Sequence, residues 1–229
     1  LEILYKNLKD YNADISMCNN VRVNNYNYLP IDEDESIITY NGVQALEMLY
    51  NDSFIFHENY SIFISPGNKL YKSSLFKEIR FPIGKFYEDG ATIYKVLFKA
   101  KKIVYSSLEL YYYYQRPGST SRKKFDITRL DRLDAFKGQV NFYKEKNLEK
   151  LHYYALNTYL NMIMEYYYLA QSEMGSIEIS NKMKKLFRYE FRKAKKDVKF
   201  SKERLEELKS FQYPLIYSIK SRIKDEGFL

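Results

Sequence analysis

The spacing of apolar and polar positions along this chain changes character after its middle. Leu1, Leu4, Tyr5 and Leu8 recur at helical spacing and predict a short helix over residues 1–10. Ala13 to Cys18 is a short, mainly apolar run suited to a buried strand. Val21, Val23 and Asn25 alternate with polar residues, so a hairpin through Asn19-Asn20 is expected. Ser36 to Tyr40 reads as another strand. Asn41 then caps a helix through Tyr50 that turns Val43, Ala45, Leu46 and Leu49 inward. Ser65-Pro66-Gly67 marks a turn, and Ser73 or Ser74 caps a short helix ending near Glu78. Residues 88–100 are helical in pattern; Ile103–Tyr105 and Leu108–Tyr114 read as strands. Tyr111 to Tyr114 cannot all be core, because successive strand side chains face opposite ways.

From Asp126 onward the pattern is helical throughout. Leu130, Leu133, Phe136, Val140 and Tyr143 suit one helix, and Leu151 to Ala170 a second, dense in Tyr and Met. Met183, Phe187, Phe191, Ala194 and Val198 share one face of a third helix over 180–200. Ser201 caps a fourth, Lys202 to Lys209, and Pro214 opens a last one through Ile223. The Met and Tyr stripe at 159–168 is helix core and needs no cofactor.

The stretch with the most chemical content is Phe81-Pro82-Ile83-Gly84-Lys85-Phe86-Tyr87-Glu88-Asp89-Gly90. Pro82 and Gly84 punctuate a loop, and two adjacent carboxylates stand where the next helix begins. An acid is favoured there as cap and dipole partner. The residues alone leave two readings open: a plain helix start, or a catalytic pair. Further on, Gln115 to Lys124 carries Pro117, Gly118 and three hydroxyls, bracketed by Arg116 and Arg122. Such a loop can wrap a phosphate through backbone N–H groups and guanidinium contacts, or simply connect two domains. Asp32, Glu33, Asp34 and Glu35 cluster in a Pro-containing loop with nothing to fix a metal geometry.

The order of these patterns carries a resemblance. Asn68-Lys69-Leu70-Tyr71-Lys72-Ser73-Ser74-Leu75-Phe76 is followed by Ile79-Arg80-Phe81-Pro82 and Tyr87-Glu88-Asp89-Gly90. Lys101-Lys102-Ile103-Val104-Tyr105 and Tyr111-Tyr112-Tyr113-Tyr114-Gln115-Arg116-Pro117-Gly118-Ser119 come next. In that order and spacing, Leu1 to about Arg122 resembles the second half of the catalytic domain of family 2 (GT-A type) glycosyltransferases. The likeness is to bacterial enzymes of capsule, exopolysaccharide and lipopolysaccharide assembly. It implies an α/β fold: the acceptor-side half of a Rossmann-like GT-A domain over residues 1–123, then a mostly α-helical region over 124–229. It also implies inverting transfer of a sugar from a nucleotide-sugar donor to a hydroxyl of a glycan or lipid-linked acceptor.

The resemblance assigns roles residue by residue. Asp89 stands where the family has its general base, with Glu88 beside it to orient base or acceptor. Arg116, Ser119 and Ser121 fall in the family's mobile loop over the donor diphosphate. The loop departs from the Gln-x-x-Arg-Trp form of the processive polymerases, which argues against a processive enzyme. Lys69 lies in the segment beside the acceptor pocket; on its own it reads equally as a solvated lysine. The divalent metal, Mn or Mg, would be held by Asp residues that the resemblance places before Leu1, together with the nucleotide-binding strands. The expectation follows that this chain is a fragment, inactive alone. Its open sheet edge is expected to favour a homo-oligomer.

Composition narrows the alternatives. With Cys18 as the single cysteine and only His57 and His152 as histidines, disulfides within the chain and cysteine- or histidine-based metal clusters are excluded. A reducing cytoplasm fits. No apolar run reaches 18 residues and the first residues are neither signal nor transit peptide, so no membrane-spanning helix is expected. Residues 1–120 hold 13 Lys+Arg against 14 Asp+Glu, whereas residues 121–229 hold 24 against 15. The basic excess is densest at 182–202, with ten Lys+Arg against Glu190 and Asp197. That suits an anionic inner-leaflet membrane surface, with peripheral attachment, or a solvated face. The competing class is a non-catalytic basic helical module binding nucleic acid or an anionic membrane surface. No nucleic-acid fold is recognisable, so no nucleic-acid partner is expected.

Overall fold

The structure, a computed structural model, describes residues 1–23, 35–50, 58–115 and 125–213, with backbone alone at 58–60. The chain divides into two compact units, Leu1–Ala155 and Leu156–Leu229. The boundary expected at 123/124 lies outside the described residues. As the spacing predicts, mixed α/β structure is followed by helices, and residues 125–213 contain no strand.

The first unit is built on four strands: β1 (Ile15–Val23), β2 (Ile37–Tyr40), β3 (Lys69–Tyr71) and β4 (Ile103–Tyr114). Their order is β2-β4-β1-β3. β1 and β4 run parallel at the centre, while β2 and β3 are antiparallel edges. Ile15, Met17, Ile103 and Val104 are fully buried, as a near-continuous apolar run in central parallel strands requires. Around the sheet lie α1 (Glu2–Asp10), α2 (Gly42–Glu47), α3 (Glu58–Ile64), α4 (Glu88–Lys99) and α5 (Asp131–Glu145). Leu4 and Leu8 of α1, Ala45 and Leu46 of α2, and Ile93, Val96 and Leu97 of α4 complete the core.

Several local expectations change. The hairpin at Asn19-Asn20 does not form; the two segments make one strand, β1. Its register against β4 shifts at Cys18/Asn19 and Asn19/Asn20. The Asn pair therefore lies at an irregularity inside a strand, opposite the point where β4 absorbs extra residues (Ser107, Leu108 and Leu110) without either chain reversing. Ile103–Tyr105 and Leu108–Tyr114 likewise join into the single strand β4. Neither Ser73 nor Ser74 caps a helix. A four-residue 3-10 turn, Ser73–Phe76, follows Lys72 with no side-chain cap. Asn41 does cap α2, in a reciprocal capping box with Gln44. Gly42 is required there: a Cβ on it would meet the carbonyl oxygen of Leu97 at 2.4 Å.

Asp14 ties the start of β1 to its neighbours. Its carboxylate accepts from Lys72 Nζ at 2.9 Å and from the Lys101 amide at 2.8 Å. Burial would raise this carboxyl, but those bonds outweigh it and hold it below the ordinary range.

The second unit contains most of α6 (Glu149–Ser172), with α7 (Ile177–Asp197) and α8 (Lys202–Gln212). Ser176 and Ser201 cap α7 and α8 by accepting from the Ile179 and Arg204 amides. Phe187, Phe191 and Phe211 form its aromatic centre, Phe187 meeting Phe211 edge-on at 4.7 Å. A buried ring of this kind contributes roughly 1.5–3 kcal/mol. Arg204 is 8% exposed. It donates to Asn157 Oδ1 at 2.8 Å, Asn161 Oδ1 at 2.5 Å and Glu207 Oε2 at 2.6 Å. The helix expected from Pro214 lies outside the described residues.

Candidate active site

The candidate site is the turn into α4. Tyr87, the residue before the helix, has φ 60° and ψ 38°, the left-handed region. For a non-glycine residue this costs about 1–2 kcal/mol, so its surroundings must hold it. They do so from the start of α5 and the 3-10 turn before it, Ile127–Leu130. Asp131 Oδ1 accepts from Lys85 Nζ at 2.6 Å, and its Oδ2 accepts from the Phe86 amide at 3.1 Å. Arg129 Nη1 donates to Tyr87 Oη at 3.3 Å. The Arg132 guanidinium lies over the Tyr87 ring, 4.8 Å from its centre.

Past that turn, Glu88 and Asp89 occupy the first turn of α4. Glu88 is exposed and Asp89 half-buried. Asp89 Oδ1 accepts from the Gly90 amide at 2.6 Å. Burial pushes the Asp89 carboxyl above its ordinary range, and the Glu88 charge adds to the rise. The Gly90 hydrogen bond and the positive charge of Arg132 work the other way. A carboxylate of this kind, partly stripped of water but in contact with charge, is a better proton acceptor than a solvated one.

Gly90 is anchored from below. Its carbonyl accepts from Gln139 Nε2 at 2.8 Å, and Gln139 Oε1 accepts from Tyr50 Oη at 2.6 Å. Gln139 is fully buried, so this bridge from α5 to the end of the α2 segment fixes where α4 starts.

Lys69 belongs to the same neighbourhood, near enough to Asp89 for that charge to favour its protonated form. It is not a solvated lysine: it is 7% exposed. Its Nζ donates to Ile62 O and Ser65 O at 2.6 Å each and to Asn68 Oδ1 at 2.7 Å. Burial lowers its pKa to about 7. The three oxygens only accept, so together they use all three protons of an ammonium and favour the charged form. As an acceptor ligand, Lys69 would have to release one of them. Asn68 beside it donates to Cys18 O at 2.6 Å, joining β3 to β1 at the register shift.

Asp89, Glu88 and Lys69 thus share one neighbourhood. Arg116, Ser119 and Ser121 lie outside the described residues, as do Asp32, Glu33 and Asp34. Glu35 is exposed and accepts from Asn7 Nδ2 at 2.9 Å. Among the described residues no group of three His, Cys, Asp or Glu could hold a metal ion. Nor is any helix long and apolar enough to cross a membrane.

Sequence reasoning missed Arg132, Gln139 and Tyr87. A signal was present for two of them. Arg132, Phe136, Gln139 and Tyr143 follow i, i+4, i+7 and i+11 spacing on a predicted helix. A guanidinium and an amide on an otherwise aromatic stripe ask for partners. Nothing local marks Tyr87 as left-handed.

No family model matches the chain. Among curated proteins, it is similar to glycosyltransferase GlyA of Streptococcus pneumoniae serotype 4, 35% identical over 131 residues. That match covers 53% of this chain and 18% of GlyA. It is also similar to glycosyltransferase GlyG of the same strain, 31% identical over 137 residues, covering 56% of this chain and 43% of GlyG. The chain therefore spans less than half the length of either relative. Its similarity is to proteins named glycosyltransferases, which supports glycosyl transfer as the reaction class.

Proposed function

We propose that this chain carries the acceptor side of a GT-A-type glycosyltransferase that inverts the anomeric centre, with Asp89 as general base. The donor is a nucleotide sugar and the acceptor a hydroxyl of a glycan or lipid-linked glycan. In one displacement the acceptor oxygen bonds to the anomeric carbon as the carbon–oxygen bond to the diphosphate breaks. The acceptor proton passes to the Asp89 carboxylate, and the bond's electron pair leaves with the nucleoside diphosphate. Glu88, exposed next to the base, is assigned to orienting the acceptor. Arg116, Ser119 and Ser121 are assigned to the leaving diphosphate, whose growing charge they would meet with guanidinium and hydroxyl donors. The described residues do not fit a divalent metal, so no step here is routed through one.

The observation that carries the reading is the half-buried Asp89 in the first turn of α4, behind a left-handed Tyr87, in a chain similar to named glycosyltransferases. The test is Asp89→Asn in the whole protein, assayed by nucleoside diphosphate release from a panel of nucleotide sugars. Loss of a positioned general base costs roughly 10²–10⁴-fold. The loss is expected in kcat, with donor affinity by calorimetry little changed. A mutant as active as the wild type at neutral pH would refute the assignment.

A second part of the proposal concerns location. The exposed face of α7 carries Lys185, Arg188, Arg192, Lys195 and Lys196, while Phe187, Phe191 and Ala194 are buried on the other. We assign that face to peripheral contact with an anionic cytoplasmic leaflet, which suits an acceptor carried on lipid.

A further inference from the structure

We propose that Arg132 is a positioning residue for Asp89: stacked on Tyr87, it holds the turn into α4 in its left-handed form and keeps a fixed positive charge near the carboxylate. The inference rests on the reading of Asp89 as the base, and it deepens that reading.

The geometry is a clamp onto one loop. From the start of α5, Asp131 holds Lys85 and the Phe86 amide and Arg132 covers the Tyr87 ring, and Arg129 of the 3-10 turn just before it (Ile127–Leu130) holds the Tyr87 hydroxyl. Arg132 also lies 6.0 Å from the centre of the Phe136 ring, so its planar head is within reach of two aromatic faces. A guanidinium keeps its charge at any pH the protein survives, which a lysine or histidine in a desolvated place need not do. Charged groups from two elements act on Asp89. Glu88 of α4 opposes ionisation of the carboxyl and Arg132 of α5 favours it, while the Asp89 charge in turn favours the protonated form of Lys69 on β3. Glu88 is exposed and free to turn to an acceptor, and Lys69 is engaged by its three oxygens. Arg132 supplies positive charge that opposes the effect of burial on this carboxyl.

The consequence is a division of labour. Burial makes Asp89 a strong proton acceptor but threatens to leave it protonated before the acceptor arrives. Arg132 offsets that tendency through its charge, while the hydrogen bond from the Gly90 amide goes to Oδ1.

The experiment compares Arg132→Met, which keeps an unbranched stem against the two rings and removes the charge, with Arg132→Lys, which keeps a positive charge over the acid range in which a carboxyl titrates. The readout is the Asp89 carboxyl titration, followed by carbon NMR on the 229-residue chain labelled at aspartate, with Asp89→Asn to assign the signal. Circular dichroism checks that each variant is folded. The expected result is an upward shift of the Asp89 midpoint in Arg132→Met and a midpoint near wild type in Arg132→Lys. An unmoved midpoint in Arg132→Met overturns the inference, and so does an equal rise in both variants. If Arg132→Met does not fold, Arg132→Gln replaces it with the same two criteria. The acid limb of transfer in the whole protein then separates the two readings. A limb that follows the NMR midpoint supports both. A midpoint that moves while the limb stays fixed leaves Arg132 as the residue that tunes Asp89 and removes Asp89 as the base.

Discussion

The two compact units follow different rules. In Leu156–Leu229, each described helix reads as an amphipathic pattern with a serine cap or a continuous apolar stripe. Its buried cation, Arg204, is held by two asparagines and a glutamate. In Leu1–Ala155 local preference is overridden repeatedly within one neighbourhood: a tyrosine in the left-handed region, a lysine inside a cage of carbonyls, a carboxyl raised by burial, and a strand that slips register. Concentrated departures of this kind cost stability and persist where a surrounding network enforces them. The contrast is between a first unit in which such departures concentrate and a second whose helices follow local signals.

The sharpest way to break this comparison is to measure whether Asp89 costs stability. Its folded pKa is raised, so the native state binds more protons than the unfolded chain between the ordinary aspartate value and the raised one. Stability from this group is therefore full below the unfolded pKa and is lost as pH rises through the folded one. Asp89→Asn removes that cost. Besides the loss of transfer expected above, we expect a higher thermal midpoint than wild type at neutral pH, with the difference shrinking toward acid. A mutant less stable than wild type at neutral pH would place Asp89 among structural carboxylates.

Arg204 supplies the matching test in the second unit. Arg204→Ala leaves the Asn157 and Asn161 side-chain oxygens without this donor, at a cost of roughly 1–3 kcal/mol. Hydrogen exchange in α6–α8 should accelerate accordingly, with exchange in the central strands unchanged. Acceleration in β1 and β4 of the same size would mean that the two units do not open separately.

Much of this was legible beforehand, for physical reasons that differ by residue. Asn41, Ser201 and the helical stripes are local signals: one side chain and its next turn decide them, so the sequence suffices. Glu88 and Asp89 were readable as a helix start because Pro82 and Gly84 precede them. The expected hairpin at Asn19-Asn20 failed because Asn is equally at home in a turn and in a strand irregularity. Only pairing with β4 and the bond from Asn68 to Cys18 O distinguish the two. Lys69 was unreadable because its burial depends on the end of α3 supplying Ile62 O and Ser65 O. Arg132 stands 43 positions after Asp89 in sequence, so no local spacing could connect them.

A smaller effect is expected at Asp14. Its folded pKa is lowered, so its contribution is present above the unfolded pKa and lost as pH falls through the folded value. Asp14 is partly exposed and Lys72 more so, so screening reduces the ion pair's share. The backbone amides of Lys101 and Lys102 add to that contribution. Asp14→Asn, which keeps an acceptor oxygen, should cost about 1 kcal/mol at neutral pH and flatten the acid limb of stability. Urea titrations at pH values spanning the carboxylate range would show it. An acid limb unchanged by the mutation would assign that limb to other carboxylates.

The smallest effect on stability is expected where the charge is densest. Among the described residues Lys185, Arg188, Arg192 and Lys196 make no ion pair, and all four are exposed on α7. Like charges along one face repel, so changing all four to glutamine should move stability by no more than about 0.5 kcal/mol per site, and not necessarily downward. Binding is a separate matter. Because the apolar face of α7 is already buried in its own unit, contact with lipid would be electrostatic, without insertion. Vesicles of phosphatidylcholine with added phosphatidylserine should then retain the wild-type chain at low salt and release it as salt rises. The fourfold variant should lose most of that retention, at roughly 1 kcal/mol per charge removed. Retention by neutral vesicles, or retention unchanged in the variant, would refute the membrane assignment and leave α7 as a solvated face. A stability loss of several kcal/mol would instead show that these cations support the fold, and would erase the contrast between a strained first unit and a regular second one.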